Sequence, residues 1–348
     1  MLDDLKYIAA KDSADAFGIA AKAPDQLRHE FSVGSVSGEI NSMVVSGMGG
    51  SALGASLFLN WTQPSVPMAI NRQYDIPGFV SQRTLFVASS YSGNTEEALS
   101  AYRQARERGA VAVAMTSGGK LEELAKENGV LVLKLPGGIQ PRMSVFYQIK
   151  ALSALFDAVS AFGAGDLAVQ VSACADFLAE ESKRWLPEVR TEANLAKQLA
   201  GEIAGKTPVI YAGPRLSGAA YKWKISFNET SKNIAFYNQW PEFNHNEIMG
   251  WTSHPVEKPF QPVELISAFE HPRVSKRFEI SNRLLSGKMP HPLVIETKGD
   301  TLLAQILWAV LLGDFTSLYL AMLNGVDPTP VKTIEKLKQE LSEESSFF

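Results

Sequence analysis

The sequence predicts an α/β protein made of two doubly wound parallel-sheet (Rossmann-like, αβα sandwich) subdomains. Three observations predict it. The chain has 348 residues, enough for two cores of ordinary size. Short β-rich runs alternate with helical stretches through both halves, the pattern of parallel strands joined by crossover helices. A strand, a glycine turn and a helix start occur in that order twice, as VVSGMGGSALG at 44–54 and VIYAGPRLSGAA at 209–220.

In the first half, Met43 to Ser46 is a strand, followed by a glycine turn and an apolar-periodic stretch over 51–61. Thr84 to Ser89 (TLFVAS) reads as a buried strand, and Thr95 to Arg108 as an amphipathic helix stopped by Gly109. Strand 111–115, helix 121–127, an Asn128-Gly129 turn and strand 130–135 follow. An apolar helix from Ser144 to about Phe162 leaves this domain, placed at residues 1–160. A polar helical stretch over about 166–204 leads into the second domain, placed at 185–348, with the boundary in 160–195. There 208–212, 262–267 and 293–296 are strands, and 217–232, 301–324 and 331–342 are helices.

Composition narrows the function. The net charge is −4 with a pI near 5.8 and no Lys/Arg block, which argues against a nucleic-acid surface but not against a local anion pocket. Cys174 is the only cysteine, so no internal disulfide or cysteine metal cluster forms. The first residues carry acids where a secretory signal would carry bases, so the cytoplasm is the expected location. The apolar stretch 301–323 is interrupted by Gln305 and Asp314 and reads as a buried core helix rather than a membrane span.

Two loops carry the first chemical signal. Ser46-Gly47-Met48-Gly49-Gly50-Ser51-Ala52 lies between a strand and a helix, where glycines let backbone N–H groups approach an anion. A packing turn would look the same. Ser89-Ser90-Tyr91-Ser92-Gly93-Asn94-Thr95-Glu96-Glu97 sets hydroxyls at a second helix start. Thr95 also fits a simple N-cap, which leaves Ser90 and Ser92 unexplained. Both loops sit at the carboxyl ends of strands, where open α/β sheets bind ligands. Neutral and rich in hydroxyls, the pair suits a phosphomonoester gripped without magnesium.

GMGGSALG together with SSYSGNTEE resembles the sugar isomerase (SIS) domain. Further along, GIQPR at 138–142, FNETSK at 227–232, PEFNHNE at 241–247 and the helix after Asp327-Pro328 resemble the bifunctional phosphoglucose/phosphomannose isomerases. The resemblance runs nearly the whole chain in the right order. It implies two SIS-type subdomains, the first with the phosphate loop and the second with the catalytic Glu and His. It implies a sugar phosphate held by Gly49, Gly50, Ser51, Ser90, Ser92 and Thr95, and a catalytic group of Arg142, Glu229, His245 and a C-terminal lysine. No cofactor or metal is expected, the partner is a small sugar phosphate rather than nucleic acid or membrane, and a homodimer is expected in which the histidine can come from the neighbouring chain.

Aldose–ketose isomerisation of a hexose 6-phosphate opens the ring, takes a proton from C2, returns it to C1 and stabilises the enediolate between. Glu229 suits the base, although the residues alone also fit a surface glutamate paired with Lys232. His245 suits ring opening, with a loop histidine bonded to backbone as the bland alternative. Arg142 suits the enediolate charge, or else a salt bridge across the domain interface. The family's Ile-x-x-Leu-Lys pattern falls on Ile334 to Lys338, which selects Lys338 over Lys332 and Lys336. The rivals are another sugar-phosphate isomerase, such as one for amino sugars, and a non-catalytic sugar-phosphate sensor.

Overall fold

A computed structural model describes residues 1–34, 36, 38–159 and 165–343. Two parallel sheets organise it. The first contains β1 (Ser42–Ser46), β2 (Met68–Asn71), β3 (Thr84–Ser89), β4 (Val111–Thr116) and β5 (Leu131–Lys134), in the order β2-β1-β3-β4-β5. The second contains β6 (Thr207–Ala212), β7 (Phe236–Gln239), β8 (Phe260–Ile266) and β9 (Leu293–Glu296), in the order β7-β6-β8-β9. The chain therefore enters each sheet on an inner strand, steps outward to an edge, then crosses back to the other side. That reversal opens a crevice at the carboxyl ends of β1 and β3, and again at β6 and β8.

Every residue of β1 and β3 is buried, as continuous apolar runs covered by helices on both faces require. The expected strands are present within one or two residues of their expected ends. Edge strands β2 and β7 had no counterpart in the sequence reading. They are four residues each and partly exposed, so their patterns are neither fully apolar nor cleanly alternating. The helix leaving the first sheet spans Val145–Ala158, and its expected continuation to Phe162 lies outside the described residues.

Helix Leu302–Leu323 forms the spine of the second half, packed against Leu195–Ile203 and Ser217–Glu229. By length and composition it could cross a membrane, yet 89% of its most apolar window is buried inside the protein. Its two polar interruptions are satisfied internally. Gln305 Oε1 accepts from Ser267, Ala268 and Thr297 while its Nε2 donates to the Gly299 carbonyl, and Asp314 pairs with Lys222 and accepts from Ser226. The N-terminal helix Ala16–Ala21 packs on this spine, and Tyr7 Oη donates to the Met322 carbonyl at 2.8 Å, so the first residues tie to the second half as well as the first.

Candidate active site

The first glycine turn tightens into a short 3₁₀ segment, Gly49–Ala52, before helix Leu53–Thr62 begins. Gly50 is required by a close approach: a Cβ there would lie 2.7 Å from the Arg142 nitrogen. This brings the phosphate loop against the Gln140-Pro141-Arg142 turn. Two buried polar groups hold the loop in place, Ser89 from the second motif and Gln148, which has no place in either motif. Gln148 Nε2 donates to the Gly50 carbonyl at 2.9 Å, and Ser89 Oγ donates to the Ser51 carbonyl at 2.6 Å.

The second loop closes on Gly93, whose φ of +73° and missing Cβ let it lie against the Gly118 carbonyl. Its hydroxyls divide into two kinds. Ser90 is fully buried; it accepts from the Thr95 N–H at 3.4 Å and donates to Thr95 Oγ1 at 2.9 Å. Thr95 makes no side-chain cap to its own helix and instead lines a cavity of about 610 Å³. Ser51 and Ser92 line the same cavity, and their oxygens accept from the Tyr91 N–H at 3.0 Å and the Asn94 N–H at 3.3 Å. Each of the three cavity hydroxyls thus accepts a bond from the protein and keeps its own proton for an anion. Gly49 and Gly50 line the cavity beside them, while Ser90 stands behind Thr95 and outside the lining.

Across the cavity stands Glu229, the last residue of helix Ser217–Glu229, with its side chain 24% exposed. Its partner is Arg142 rather than Lys232: Arg142 Nη1 donates to Glu229 Oε2 at 3.2 Å. Arg142 is 2% exposed and does not line the cavity itself. Its Nε donates to Thr230 Oγ1 at 3.0 Å, and Nη2 donates to the carbonyls of Pro328 and Thr329 at 2.8 and 3.1 Å. Burial lowers the guanidinium's pKa and the Glu229 charge opposes that shift; an arginine remains charged regardless.

The third wall is the last helix, Lys332–Glu343, which presents Ile334, Leu337, Lys338 and Leu341 to the cavity. Lys336 instead pairs with Glu340 on the exposed side, and Lys332 sits exposed at the helix start. His245 is not brought into this assembly. It is exposed at the end of the 3₁₀ turn Glu242–His245, beyond edge strand β7. Among the described residues no group of three or more His, Cys, Asp or Glu side chains is arranged to hold a metal ion. Cys174 is buried, which pushes its thiol up to about 11 and leaves it unsuited to nucleophilic work.

Comparison with known proteins bears on the family and the fold. Residues 192–341 match the model for the bacterial phospho-glucose isomerase C-terminal SIS domain. The chain is 38% identical over 333 residues to a bifunctional phosphoglucose/phosphomannose isomerase from Caldicellulosiruptor bescii, covering 92% of this chain and 97% of that protein. A protein of the same name from Aquifex aeolicus is 33% identical over 302 residues, covering 86% and 90%. Among solved structures, a glucose-6-phosphate isomerase-like protein from Thermus thermophilus superposes with a TM-score of 0.63 over 97% of this chain and 98% of that one. At 18% identity that last likeness speaks for the fold.

Proposed function

Because the chain belongs to the bifunctional phosphoglucose/phosphomannose isomerase family, we propose that it interconverts fructose 6-phosphate with glucose 6-phosphate and mannose 6-phosphate through an enediol(ate). One observation carries the reading: Ser51, Ser92, Thr95 and Glu229, drawn from opposite halves of the chain, line a single cavity. The hydroxyl protons and glycine N–H groups at two helix starts receive the phosphate. That anchor places the far end of the open-chain sugar toward Glu229. The carboxylate takes the C2 proton and returns it to C1, and rotation about C2–C3 in the enediol lets either epimer present its proton to the same base.

Arg142, buried behind the cavity wall with its donors on Glu229, Thr230 and the 328–329 carbonyls, holds Glu229 in register and does not itself meet the enediolate. Lys338 brings a cation to the cavity from the opposite wall. The reading needs neither metal nor cofactor. It does need a group to open the ring, and none of the described residues lining the pocket is a histidine. We assign that step to His245 of the partner subunit in a cytoplasmic homodimer, supported by the exposure of His245 and of Phe236 and Tyr237 on edge strand β7 just before it.

The test is a coupled assay started from fructose 6-phosphate, with glucose 6-phosphate and mannose 6-phosphate measured separately. Both products are expected. Turnover confined to glucosamine 6-phosphate would transfer the protein to the amino-sugar isomerases, and tight binding without any product would make it a sensor.

A further inference from the structure

The last helix forms one wall of the cavity, yet its own packing does not hold it there. Residues 332–341 are exposed throughout, and Ile334, Leu337 and Leu341 remain 40%, 56% and 42% exposed although they face the cavity. Its position must be set by the strap that leads into it. That strap is gripped by two cations on three consecutive carbonyls. Arg142 takes Pro328 and Thr329, and Lys232 Nζ donates to the Asp327 carbonyl at 2.6 Å. The Asp327 carboxylate stiffens the turn from within, accepting the Thr329 N–H at 2.9 Å.

Lys232 occupies this place against two penalties. Its φ of +51° is the left-handed region that residues with a Cβ seldom adopt. Partial burial, and then the Arg142 charge, lower its pKa to about 8, with Asp327 and Glu229 pulling the other way. The same ammonium also donates to the Thr230 carbonyl at 3.3 Å, one residue past Glu229. One side chain therefore links the segment that carries the base to the strap that carries the lysine wall.

Resting on the isomerase reading above, we propose that Lys232 is a positioning residue for the reaction: its ammonium clamps the 327–329 strap to the end of the Glu229 helix and so fixes Lys338 over the cavity. It touches no substrate. The phosphate loop lies elsewhere, so substrate capture does not depend on it.

The experiment compares Lys232→Met, Lys232→Gln and Lys232→Arg in the full-length enzyme, by steady-state kinetics and by hydrogen–deuterium exchange. Because misplacing a catalytic group by about 1 Å can cost roughly 10²-fold, the Met and Gln variants should lose about 10- to 100-fold in kcat while KM for fructose 6-phosphate stays within about twofold. Amides over 329–340 should exchange faster, with those of β1 and β3 unchanged. Arginine, which keeps a charged donor, should recover most of kcat and slow the exchange again. Wild-type kcat and wild-type exchange in the Met and Gln variants overturn the proposal. So does a loss that appears in KM, or one that arginine leaves unrescued. The exchange arm needs no turnover, so a failure of the isomerase reading leaves the clamp independently tested.

Discussion

Arg142 and Glu229 are 87 residues apart in sequence and meet at 3.2 Å, the one nearly sealed from solvent and the other open to the cavity. The arrangement fixes a carboxylate without covering it, which a proton-transferring group requires. Replacing Glu229 by Gln keeps an oxygen for Arg142 and removes the base. Loss of a general base typically costs about 10²–10⁴ in rate, so Glu229→Gln should lose that much kcat with both glucose 6-phosphate and mannose 6-phosphate, in parallel. Loss with only one epimer would mean that the two sugars use separate bases.

Arg142→Lys tests the fork rather than the charge. The guanidinium serves Thr230, Glu229, Pro328 and Thr329 at once, and a single ammonium cannot reach all four. We expect a loss of roughly 10² in kcat, because Glu229 and the strap both shift when the fork is lost. Thermal stability should fall too, because breaking a buried pair and orphaning its partners costs about 3–5 kcal/mol when nothing takes their place. Unaltered melting with lost activity would show that the strap does not depend on this residue.

Ser90 and Thr95 should behave alike although only one reaches the cavity. Thr95→Val removes a donor from the anion site. Ser90→Ala leaves the Thr95 hydroxyl and its N–H without their buried partner. Each should raise KM by about tenfold or more, a hydrogen bond to an anion being worth about 1.5 kcal/mol or more, with kcat little changed. If Ser90→Ala binds substrate normally, its role is packing alone.

The contrast between these two serine-loop positions also shows what was legible in the sequence. Residue type and spacing mark Ser90 and Ser92 equally, because both follow a strand and precede a helix. Which oxygen faces the ligand depends on the reversal around Gly93, a three-dimensional fact. The core strands β1, β3, β4, β6 and β8 are readable because buried parallel strands carry runs of mostly apolar residues. Strands β2 and β7 hide because an edge can mix residue types: Asn71 and Gln239 end them, and Phe236 and Tyr237 are exposed. The carbonyl partners of Arg142 and Lys232 were not readable, since a carbonyl leaves no mark in a sequence.

The proposed sharing of sites between two subunits makes a sharper prediction than a simple histidine knockout. Glu229→Gln and His245→Ala homodimers should each be inactive. When the two are mixed and allowed to exchange subunits, one site in each heterodimer unites an intact Glu229 with an intact partner histidine. Statistical pairing then returns about a quarter of wild-type activity. If His245 works in its own chain, every site in the mixture is broken and the assay stays silent.

Far from the cavity, Glu264 on central strand β8 is fully buried and accepts from Asn282 at 2.8 Å. Among the described residues, its second oxygen and the Asn282 carbonyl oxygen are both buried without partners, an arrangement that a proton on Glu264 would relieve. Burial accordingly pushes its pKa up to about 7, against the Asn282 bond. On the neighbouring strand Tyr211 stays protonated and neutral, donating to Glu247, so it adds no charge beside Glu264. The unfolded carboxyl titrates near 4.5 and the folded one near 7, so the folded state holds more protons between these values. Stability from this group is full below the lower value and is lost as pH rises through the upper one. Glu264→Gln supplies a permanent donor and should be nearly neutral at pH 5 and stabilising at pH 8, by up to about 3 kcal/mol. Urea melts of both proteins at the two pH values decide it: an offset that does not change with pH means Glu264 keeps the same charge throughout, and the buried acid is held by something other than its own proton.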